Sequence, residues 1–231
     1  MSGEWDERAL SYPMNFDRQS VSVAVDLASR LEERGSIIDI GCGPGTHSIP
    51  FSRIFDDVFA VDSSPAMLER LSTWSMDNGL TNIHAIQSDC SSLGSDMKYD
   101  LVFTCLCPGM YSLGSALMME RISSGYCMFI GPLYDEFSPE RRILSSSGVE
   151  YVPVFDTRAI LAGLSEMGRE VESLSFSERH NYPDKGNLIS RCLRLSSGCD
   201  DDRSRIERYV DSLDQIPEER ALMCLLWRPK L

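Results

Sequence analysis

Basic residues are scarce in this 231-residue chain. Lys and Arg number 22 against 35 Asp and Glu, which gives a formal net charge of −13 at pH 7. Such a surface repels phosphate backbones and anionic membranes, and the basic residues are dispersed, with Arg141–Arg142 among their densest groups. We therefore expect neither a nucleic acid nor a membrane as the partner of this protein.

Long hydrophobic runs are also missing. No stretch approaches the roughly 18 apolar residues of a membrane helix, and the N-terminus MSGEWDERAL is acidic where a secretory signal is basic and then apolar. The eight cysteines form no C-x-x-C pair, and several lie in runs typical of buried strands. These features predict a cytoplasmic protein with reduced thiols, and no metal site is predicted.

Short apolar runs alternate with helical patterns along the chain. Because the runs are nearly continuous in apolar character, they favour parallel strands that are buried on both faces of a sheet. This alternation is typical of a wound α/β sheet with helices on both sides. The predicted strands are residues 36–40, 58–61, 83–87, 100–106 and 126–130.

The helices between these strands have readable ends. Residues 17–34 carry apolar side chains on one face, and Gly35 is expected to end this helix in a left-handed conformation. A second helix is predicted to begin after a Ser64 cap and to end near Gly79. A further helix is predicted over residues 156–167.

The C-terminal part continues the same organisation. Residues 170–176 and 221–227 have the character of strands, and residues 202–213 that of a polar helix. Residues 178–201 are polar with interspersed Arg and are assigned no element. The order of elements predicts one α/β domain over the whole chain.

Three glycines follow the first strand, at positions 41, 43 and 45. They allow a sharp turn and a close approach of a ligand to the main chain. The spacing is G-x-G-x-G, whereas dinucleotide-phosphate loops have G-x-G-x-x-G. The loop by itself is equally compatible with an ordinary turn from a strand into a helix.

Acidic residues end or lie within three consecutive strands of the predicted sheet: Asp39, Asp62 and Asp89. An acid about 20 residues past a glycine loop, as Asp62 is, can accept hydrogen bonds from both ribose hydroxyls of a nucleoside. Each acid alone is more often a solvated residue or a helix cap. Together, at the sheet edge where open α/β folds bind ligands, they predict a nucleoside-binding cleft.

The four segments IIDIGCGPGTHS, AVDSSPAML, QSDCSSL and YDLVFTCL, in this order, resemble the motifs of the class I (Rossmann-like) S-adenosylmethionine-dependent methyltransferases. The resemblance is close over residues 36–106. It implies a three-layer α/β sandwich with a mostly parallel seven-stranded sheet whose last strand is antiparallel. It also implies an enzyme that uses S-adenosyl-L-methionine and releases S-adenosyl-L-homocysteine.

The resemblance implies roles at the adenosine end of this cofactor. Asp62 would bind the ribose hydroxyls, and Met67 would flank the adenine. Asp89 would accept from the adenine amine, and the Cys90 amide would donate to the ring. The implied cofactor-binding residues are Tyr12, Asp39, Gly41, Cys42, Gly43, Gly45, Asp62, Ser63, Met67, Asp89, Cys90, Thr104 and Cys107.

The methionine end of the cofactor would lie along the glycine loop and the main chain of residues 104–107, with Asp39 ordering the loop. The resemblance also divides the single domain of residues 1–231 into three parts. They are an N-terminal lid and helix segment (1–35), a cofactor-binding half (36–133) and a substrate-side half (134–231).

The acceptor side carries less information. The segment 104–111, TCLCPGMY, departs from the Asn/Asp-Pro-Pro-Tyr pattern of nucleobase and protein amide methyltransferases, which favours a small-molecule acceptor. A general base helps a hydroxyl or carbon nucleophile, yet the chain has only three histidines. We expect His47 and His84 to be structural, and Tyr111, Tyr134 and His180 to be the catalytic or orienting groups.

Two other functions stay open, and a third is disfavoured. Cys107, with Cys105 two residues before it, suggests a thiol or metalloid methyltransferase. The absence of an obvious base is compatible with a non-catalytic sensor or partner subunit that binds S-adenosylmethionine. A nicotinamide oxidoreductase is disfavoured by the loop spacing and by Asp89. A last exposed pair of strands suggests a possible homodimer.

Overall fold

The structure is a computed structural model of the chain. No helix in the part of the chain that it describes is long and apolar enough to span a bilayer. The residues that the structure describes are 2–94, 97–134, 138–152, 155–179, 184–215 and 219–230.

One seven-stranded sheet forms the centre of the fold, in the order β3-β2-β1-β4-β5-β7-β6. Strands β1 to β5 are parallel, and β7 runs antiparallel to both of its neighbours, β5 and β6. The predicted fold class, with its antiparallel last strand, is confirmed. The strands are β1 Ser36–Ile40, β2 Asp57–Asp62, β3 Ile83–Gln87, β4 Tyr99–Cys105, β5 Ser123–Pro132, β6 Val171–Arg179 and β7 Glu219–Trp227.

Helices cover both faces of this sheet. On one face, α5 and α7 pack on a core that includes Val102 and Phe129. On the other face, α2 and α3 pack on a core that includes Phe103 and Met128. The helices are α1 Ser2–Ala9, α2 Gln19–Ser29, α3 Ser48–Phe51, α4 Pro65–Asp77, α5 Leu113–Arg121, α6 Pro139–Ser146, α7 Thr157–Glu166, α8 Lys185–Arg194 and α9 Asp200–Asp211.

Helix α4 has the ends that its sequence predicts. The Ser64 hydroxyl accepts a hydrogen bond from the Met67 amide at 3.2 Å, and Pro65 occupies the first helical position. Gly79 follows the helix with a φ of +66°, in the left-handed region that favours glycine. This helix is therefore specified by local signals at both ends.

Helix α2 is shorter than predicted, and the role expected for Gly35 is wrong. The helix ends at Ser29, and Gly35 is not among the residues with a positive φ. A Cβ at Gly35 would lie 3.0 Å from Asp100 Oδ2, which accepts a hydrogen bond from the Ser36 amide at 2.9 Å. Glycine is favoured here because the Asp100 carboxylate approaches the main chain closely.

Strand β3 is not buried on both faces, contrary to the prediction for residues 83–87. It lies at the edge of the sheet, and residues 84–87 are exposed. His84, expected to be structural, stacks on Phe59 with ring centroids 4.9 Å apart and pairs with Asp57 at 2.7 Å. An apolar run alone does not distinguish an edge strand from a central one.

The segment that was assigned no element, residues 178–201, completes β6 and then forms α8 after an Asp184 cap. The helix buries Leu188 and Cys192 in a separate cluster with α6 and α9. Ile189 and Leu193 are partly buried beside them, so the apolar residues of α8 recur one helical turn apart and the helix has a periodic signal in its sequence.

A buried polar network joins α5, the end of α7 and β7. The Glu120 carboxylate accepts from Arg169 through both of its oxygens, at 3.0 and 2.7 Å. It also accepts from the indole nitrogen of Trp227 at 3.0 Å, and Trp227 is buried. Removal of Glu120 would leave a cation and an indole N–H without their acceptor.

We expect Glu120→Ala to lower the free energy of unfolding by about 1–3 kcal/mol, because it removes the acceptor of the buried Trp227 N–H and the ion-pair partner of the partly buried Arg169. Urea unfolding of the variant and the parent measures this change. Glu166→Ala removes an exposed carboxylate from α7 and serves as the control, with an expected change within about 0.5 kcal/mol. Equal effects of the two substitutions would contradict the prediction.

Candidate functional site

The glycine loop turns sharply where β1 ends. Gly41, Gly43 and Gly45 have φ values of +74°, +55° and +91°, all in the left-handed region. The amides of Gly41 and Cys42 both donate to the Val61 carbonyl, at 2.8 and 3.0 Å. The loop is thereby attached to the neighbouring strand β2.

The three glycines have different surroundings. A Cβ at Gly41 would lie 2.6 Å from Cys107 Sγ, and one at Gly45 would lie 2.3 Å from Leu71 Cδ1. A Cβ at Gly43 would have nothing within 4 Å. Gly41 and Gly45 are therefore required by packing within the chain, and Gly43 has open space for a ligand.

Asp62 holds this loop to the start of α4. Its Oδ2 accepts from the Gly43 amide at 2.8 Å, and its Oδ1 accepts from the Ser64 amide at 2.9 Å. Asp62 and the adjoining Ser63 are half-buried. Each carboxylate oxygen has a second lone pair, so Asp62 can still accept hydrogen bonds from a ligand.

Asp39 lies beneath the loop and is buried. Its Oδ2 accepts from the Ser48 hydroxyl at 2.5 Å, which ties β1 to the first turn of α3. Burial raises the pKa of Asp39 to about 7, while the Ser48 hydrogen bond lowers it and the nearby Asp62 charge raises it. Asp39 therefore fixes the position of α3, the helix that follows the glycine loop, relative to β1.

Two other predicted cofactor residues are enclosed by protein. Cys42 is buried, and its thiol donates to the Gly43 carbonyl at 3.4 Å. Burial raises the pKa of Cys42 well above its usual value. Met67 is 2% exposed, so its side chain presents little surface to a ligand.

The N-terminal helix α1 docks beside the loop. Asp6 accepts from the Ser64 hydroxyl at 2.5 Å, and Arg70 donates to the Ala9 and Tyr12 carbonyls. The segment predicted as a lid is therefore attached to α4 at the edge of the cleft. Tyr12 is held there through its backbone.

Asp89 caps the short 3-10 turn Cys90–Ser92. Its Oδ1 accepts from the Ser91 amide at 2.8 Å and from the Ser91 hydroxyl at 2.6 Å. These hydrogen bonds lower the pKa of Asp89. Both bonds use the same oxygen, and the side chain is exposed, so the carboxylate is accessible to a ligand.

Backbone strain marks the end of β4. Leu106 has a φ of +53° and is the one non-glycine residue with a positive φ in the described ranges. The preceding Thr104 is buried and donates from its hydroxyl to the Ile40 carbonyl at 2.9 Å. Strain of this kind is concentrated at functional sites.

Cys107 pairs with Cys90. Their thiols are in hydrogen-bonding contact, which raises the pKa of Cys107 and lowers that of Cys90 to about 7. The two residues lie on separate loops, after β4 and β3. In the sequence, the thiol nearest to Cys107 is that of Cys105. A contact between two separate loops has no local sequence signal, so the Cys90 neighbour was not predicted.

The predicted acceptor-side tyrosines are partly buried, Tyr111 among aromatic rings and Tyr134 near charged side chains. Tyr111 stacks on Phe155 with ring centroids 4.4 Å apart and an interplanar angle of 6°. The Tyr134 amide donates to the Asp156 carboxylate at 3.1 Å. Burial raises the pKa of both phenols, so both stay protonated at neutral pH. His180 lies outside the described residues.

A cluster of buried polar atoms lies between α2, α3 and β6. His47 is 9% exposed, its ring centroid is 5.1 Å from that of Phe103, and its Nε2 has no hydrogen-bond partner in the described structure. The hydroxyls of Ser20 and Thr46 are likewise buried without a partner among the described residues. Unpartnered buried polar groups are rare, and they indicate a ligand or water site.

Charged side chains border this cluster. Glu178 accepts from the Ser20 amide at 3.0 Å and pairs with Arg220. Burial lowers the pKa of His47 to about 4, so the imidazole is neutral at pH 7. Burial and a lowered pKa agree with the expected structural role of His47, and the unpartnered Nε2 is what the sequence does not reveal.

An open cavity of about 420 Å³ lies beside α6 and the β6–β7 pair. It includes Arg220, but its lining includes no residue predicted to bind the cofactor. It therefore adjoins the polar cluster and lies apart from the glycine loop. Its lining residues are Leu133, Pro139, Arg142, Ser175, Phe176, Ser177, Glu219, Arg220 and Ala221.

The Asp39 environment predicts a pH-dependent stability. The folded state binds the Asp39 proton more tightly than the unfolded state, so this group lowers stability as pH rises from about 4 to about 7. We expect Asp39→Asn to gain at least about 1 kcal/mol relative to the parent over this interval. Urea unfolding across the pH range measures the difference.

The control for this experiment is Asp77→Asn, which changes an exposed carboxylate at the end of α4. Its stability relative to the parent is expected to stay level across the same range. A level difference for Asp39→Asn would show that the buried carboxyl is not protonated in the folded state.

Comparisons with known proteins find similar sequences for part of the chain. Residues 37–118 match the family described as "Methyltransferase domain". The chain is 36% identical over 66 residues to a ubiquinone biosynthesis O-methyltransferase of Rickettsia felis, which covers 29% of this chain and 27% of that protein. It is 33% identical over 97 residues to a 23S rRNA (uracil(1939)-C(5))-methyltransferase of Pseudomonas aeruginosa, covering 38% and 21%.

Solved structures show the same fold. A SAM-dependent methyltransferase from Thiobacillus denitrificans, solved in complex with S-adenosyl-L-homocysteine, aligns with a TM-score of 0.62 at 14% identity and covers 97% of each chain. The chain spans less than a third of the length of the curated relatives it matches. Residues 37–118, which are less than half of the chain, match the methyltransferase domain family, and the chain as a whole shares its fold with solved S-adenosylmethionine-dependent methyltransferases.

Proposed function

We propose that this chain transfers a methyl group from S-adenosylmethionine to a small-molecule acceptor. The observation that carries the cofactor assignment is the loop at Gly43, which is open to a ligand and held by the Asp62 carboxylate. Asp62 is the proposed ribose ligand, and Asp89 and the Cys90 amide are the proposed adenine ligands. The methionine end of S-adenosylmethionine is proposed to bind along the main chain of residues 41–45 and 104–107.

The acceptor is proposed to bind where the ends of β4 and β6 meet α2 and α3. S-adenosylmethionine supplies an electrophilic methyl on a sulfonium sulfur. The neutral imidazole of His47 can accept a hydrogen bond from an acceptor hydroxyl, and the hydroxyls of Ser20 and Thr46 can help to orient the acceptor. Tyr111 and Tyr134 stay proposed orienting groups.

A small molecule is favoured over RNA because the net charge of −13 opposes a phosphate backbone. The rRNA and ubiquinone enzymes match segments of 97 and 66 residues, so both activities belong to proteins much longer than the matched part. The thiol or metalloid alternative is weaker, because the raised pKa of Cys107 keeps it a thiol rather than a thiolate.

Calorimetry tests the cofactor site. We expect Asp62→Ala to weaken the binding of S-adenosyl-L-homocysteine at least about tenfold, because the ribose hydroxyls lose a charged acceptor. Asp57→Ala, at the opposite end of β2 and exposed, is the control and should bind as the parent does. Tighter binding of NAD than of S-adenosyl-L-homocysteine by the parent would overturn the assignment.

A transfer assay tests the acceptor class. With labelled S-adenosylmethionine, we expect the label to appear in a fractionated metabolite extract and not in total RNA. His47→Gln should slow the transfer at least about tenfold while S-adenosyl-L-homocysteine affinity stays level, because the variant loses an imidazole that orients the acceptor and not a cofactor ligand. His84→Gln, exposed on β3, is the control.

Each other outcome of this assay has a clear meaning. Labelled RNA would contradict the small-molecule proposal. Binding of the cofactor without transfer to any fraction would favour the non-catalytic sensor or partner subunit. An unchanged rate in His47→Gln would remove His47 from the mechanism.

A further inference from the structure

Two cysteines meet at the edge of the proposed cofactor cleft. Cys90 begins the 3-10 turn Cys90–Ser92 after β3, and Cys107 precedes the 3-10 turn Pro108–Met110 after β4. The turns lie side by side, and the two thiols are neighbours that shift each other's pKa. This contact brings together two loops that are distant in sequence.

The surrounding backbone holds the two sulfur atoms in place. A Cβ at Gly109 would lie 2.6 Å from Cys90 Sγ, and a Cβ at Gly41 would lie 2.6 Å from Cys107 Sγ. Any larger residue at either glycine would displace one of the sulfurs. The pair is therefore enclosed by main chain on both sides.

The two thiols differ in a way that suits sequential chemistry. Cys90 is partly exposed, and its hydrogen bond with Cys107 lowers its pKa to about 7, so a large fraction is thiolate at neutral pH. The thiol of Cys107 is more enclosed, and the contact with Cys90 raises its pKa. A reactive, accessible cysteine beside a second thiol is the arrangement found in redox-sensitive proteins.

We propose that Cys90 and Cys107 form a reversible disulfide when the protein meets a hydroperoxide. The Cys90 thiolate attacks one peroxide oxygen, the O–O bond breaks, and the departing oxygen takes up a proton and leaves as water or an alcohol. The Cys107 sulfur then attacks the resulting sulfenic acid. The S–S bond forms, the S–O bond breaks, and the Cys107 proton leaves with the hydroxyl as water.

The electrons balance in this sequence. The two sulfurs lose two electrons in total, and these reduce the peroxide O–O bond. A dithiol reductant reverses the reaction by thiol–disulfide exchange through a mixed disulfide. The thiol pair, the hydroperoxide and, for the reverse step, the dithiol are all the reactants that the chemistry requires.

The disulfide should also lower cofactor affinity, and this consequence rests on the proposed function. It would draw the two sulfurs to about 2.05 Å and pull the loops after β3 and β4 together. Gly41 is already in contact with Cys107, so the glycine loop would move with it. The Cys90 amide, proposed to contact the adenine, lies on the other moving loop.

Mass spectrometry of the full chain tests the bond itself. After a slight excess of hydrogen peroxide, we expect the intact mass to fall by two hydrogen atoms and to return with dithiothreitol. Tryptic digestion should give a cross-linked pair of peptides, residues 71–98 with residues 99–121. Because the second peptide contains both Cys105 and Cys107, fragment ions must locate the bond at Cys107.

Three variants sharpen the test. Cys90→Ser and Cys107→Ser should lose the mass change, and circular dichroism checks that both are folded. Cys199→Ser, which alters an exposed cysteine at the start of α9, should form the bond as the parent does. A cross-link at Cys105, or no cross-link in the parent, would overturn the proposal.

Calorimetry with S-adenosyl-L-homocysteine separates this proposal from the proposed function. Oxidised parent should bind at least about tenfold more weakly than reduced parent, whereas oxidised Cys90→Ser should bind as its reduced form does. Equal affinity of oxidised and reduced parent would overturn the coupling. If reduced parent does not bind at all, the cofactor assignment fails while the mass result still decides the disulfide.

Discussion

The site depends on the hydrogen bonds between the glycine loop and strand β2. The Val61 carbonyl accepts two loop amides, and the Asp62 carboxylate accepts from Gly43 and from the first turn region of α4. Parallel pairing of β1 with β2 sets this geometry, because it brings the carboxyl ends of both strands to one edge. The loop conformation is thus a consequence of sheet register.

A second constraint comes from beneath the loop. Asp39 and Ser48 join β1 to α3 through a buried hydrogen bond, and α3 in turn carries His47 at its start. The same short segment therefore presents the open Gly43 on one side and an unpartnered imidazole on the other. In the proposed reaction, these two faces would receive the cofactor and the acceptor.

Much of the fold was predictable because its signals are local. Helix α4 has a capping serine before its first turn and a left-handed glycine after its last turn. A few residues at each end therefore specify where the helix begins and ends. The apolar runs identified all seven strands. They did not reveal that β3 lies at an edge, because exposure depends on which strands flank it. The role of Gly35 was predicted wrongly because glycine is favoured there by the close approach of Asp100, which is distant in sequence.

The site divides in the same way. The order of motifs identified the glycine loop and the acids at the strand ends, and the matched family and fold agree with that identification. Sequence spacing offered only Cys105, two residues away, as a thiol near Cys107, whereas the fold brings Cys107 beside Cys90. It also treated His47 as an ordinary helix residue, whereas burial leaves its Nε2 without a partner in the described structure.

The sequence by itself determined the alternation of strands and helices, the glycine loop and the acidic balance, because these depend on residue type and on spacing along the chain. The tertiary structure alone decided which of the three glycines is open, which thiols meet and which polar atoms are buried. Those properties depend on distances between loops that are remote in sequence, and sheet order and helix packing set such distances.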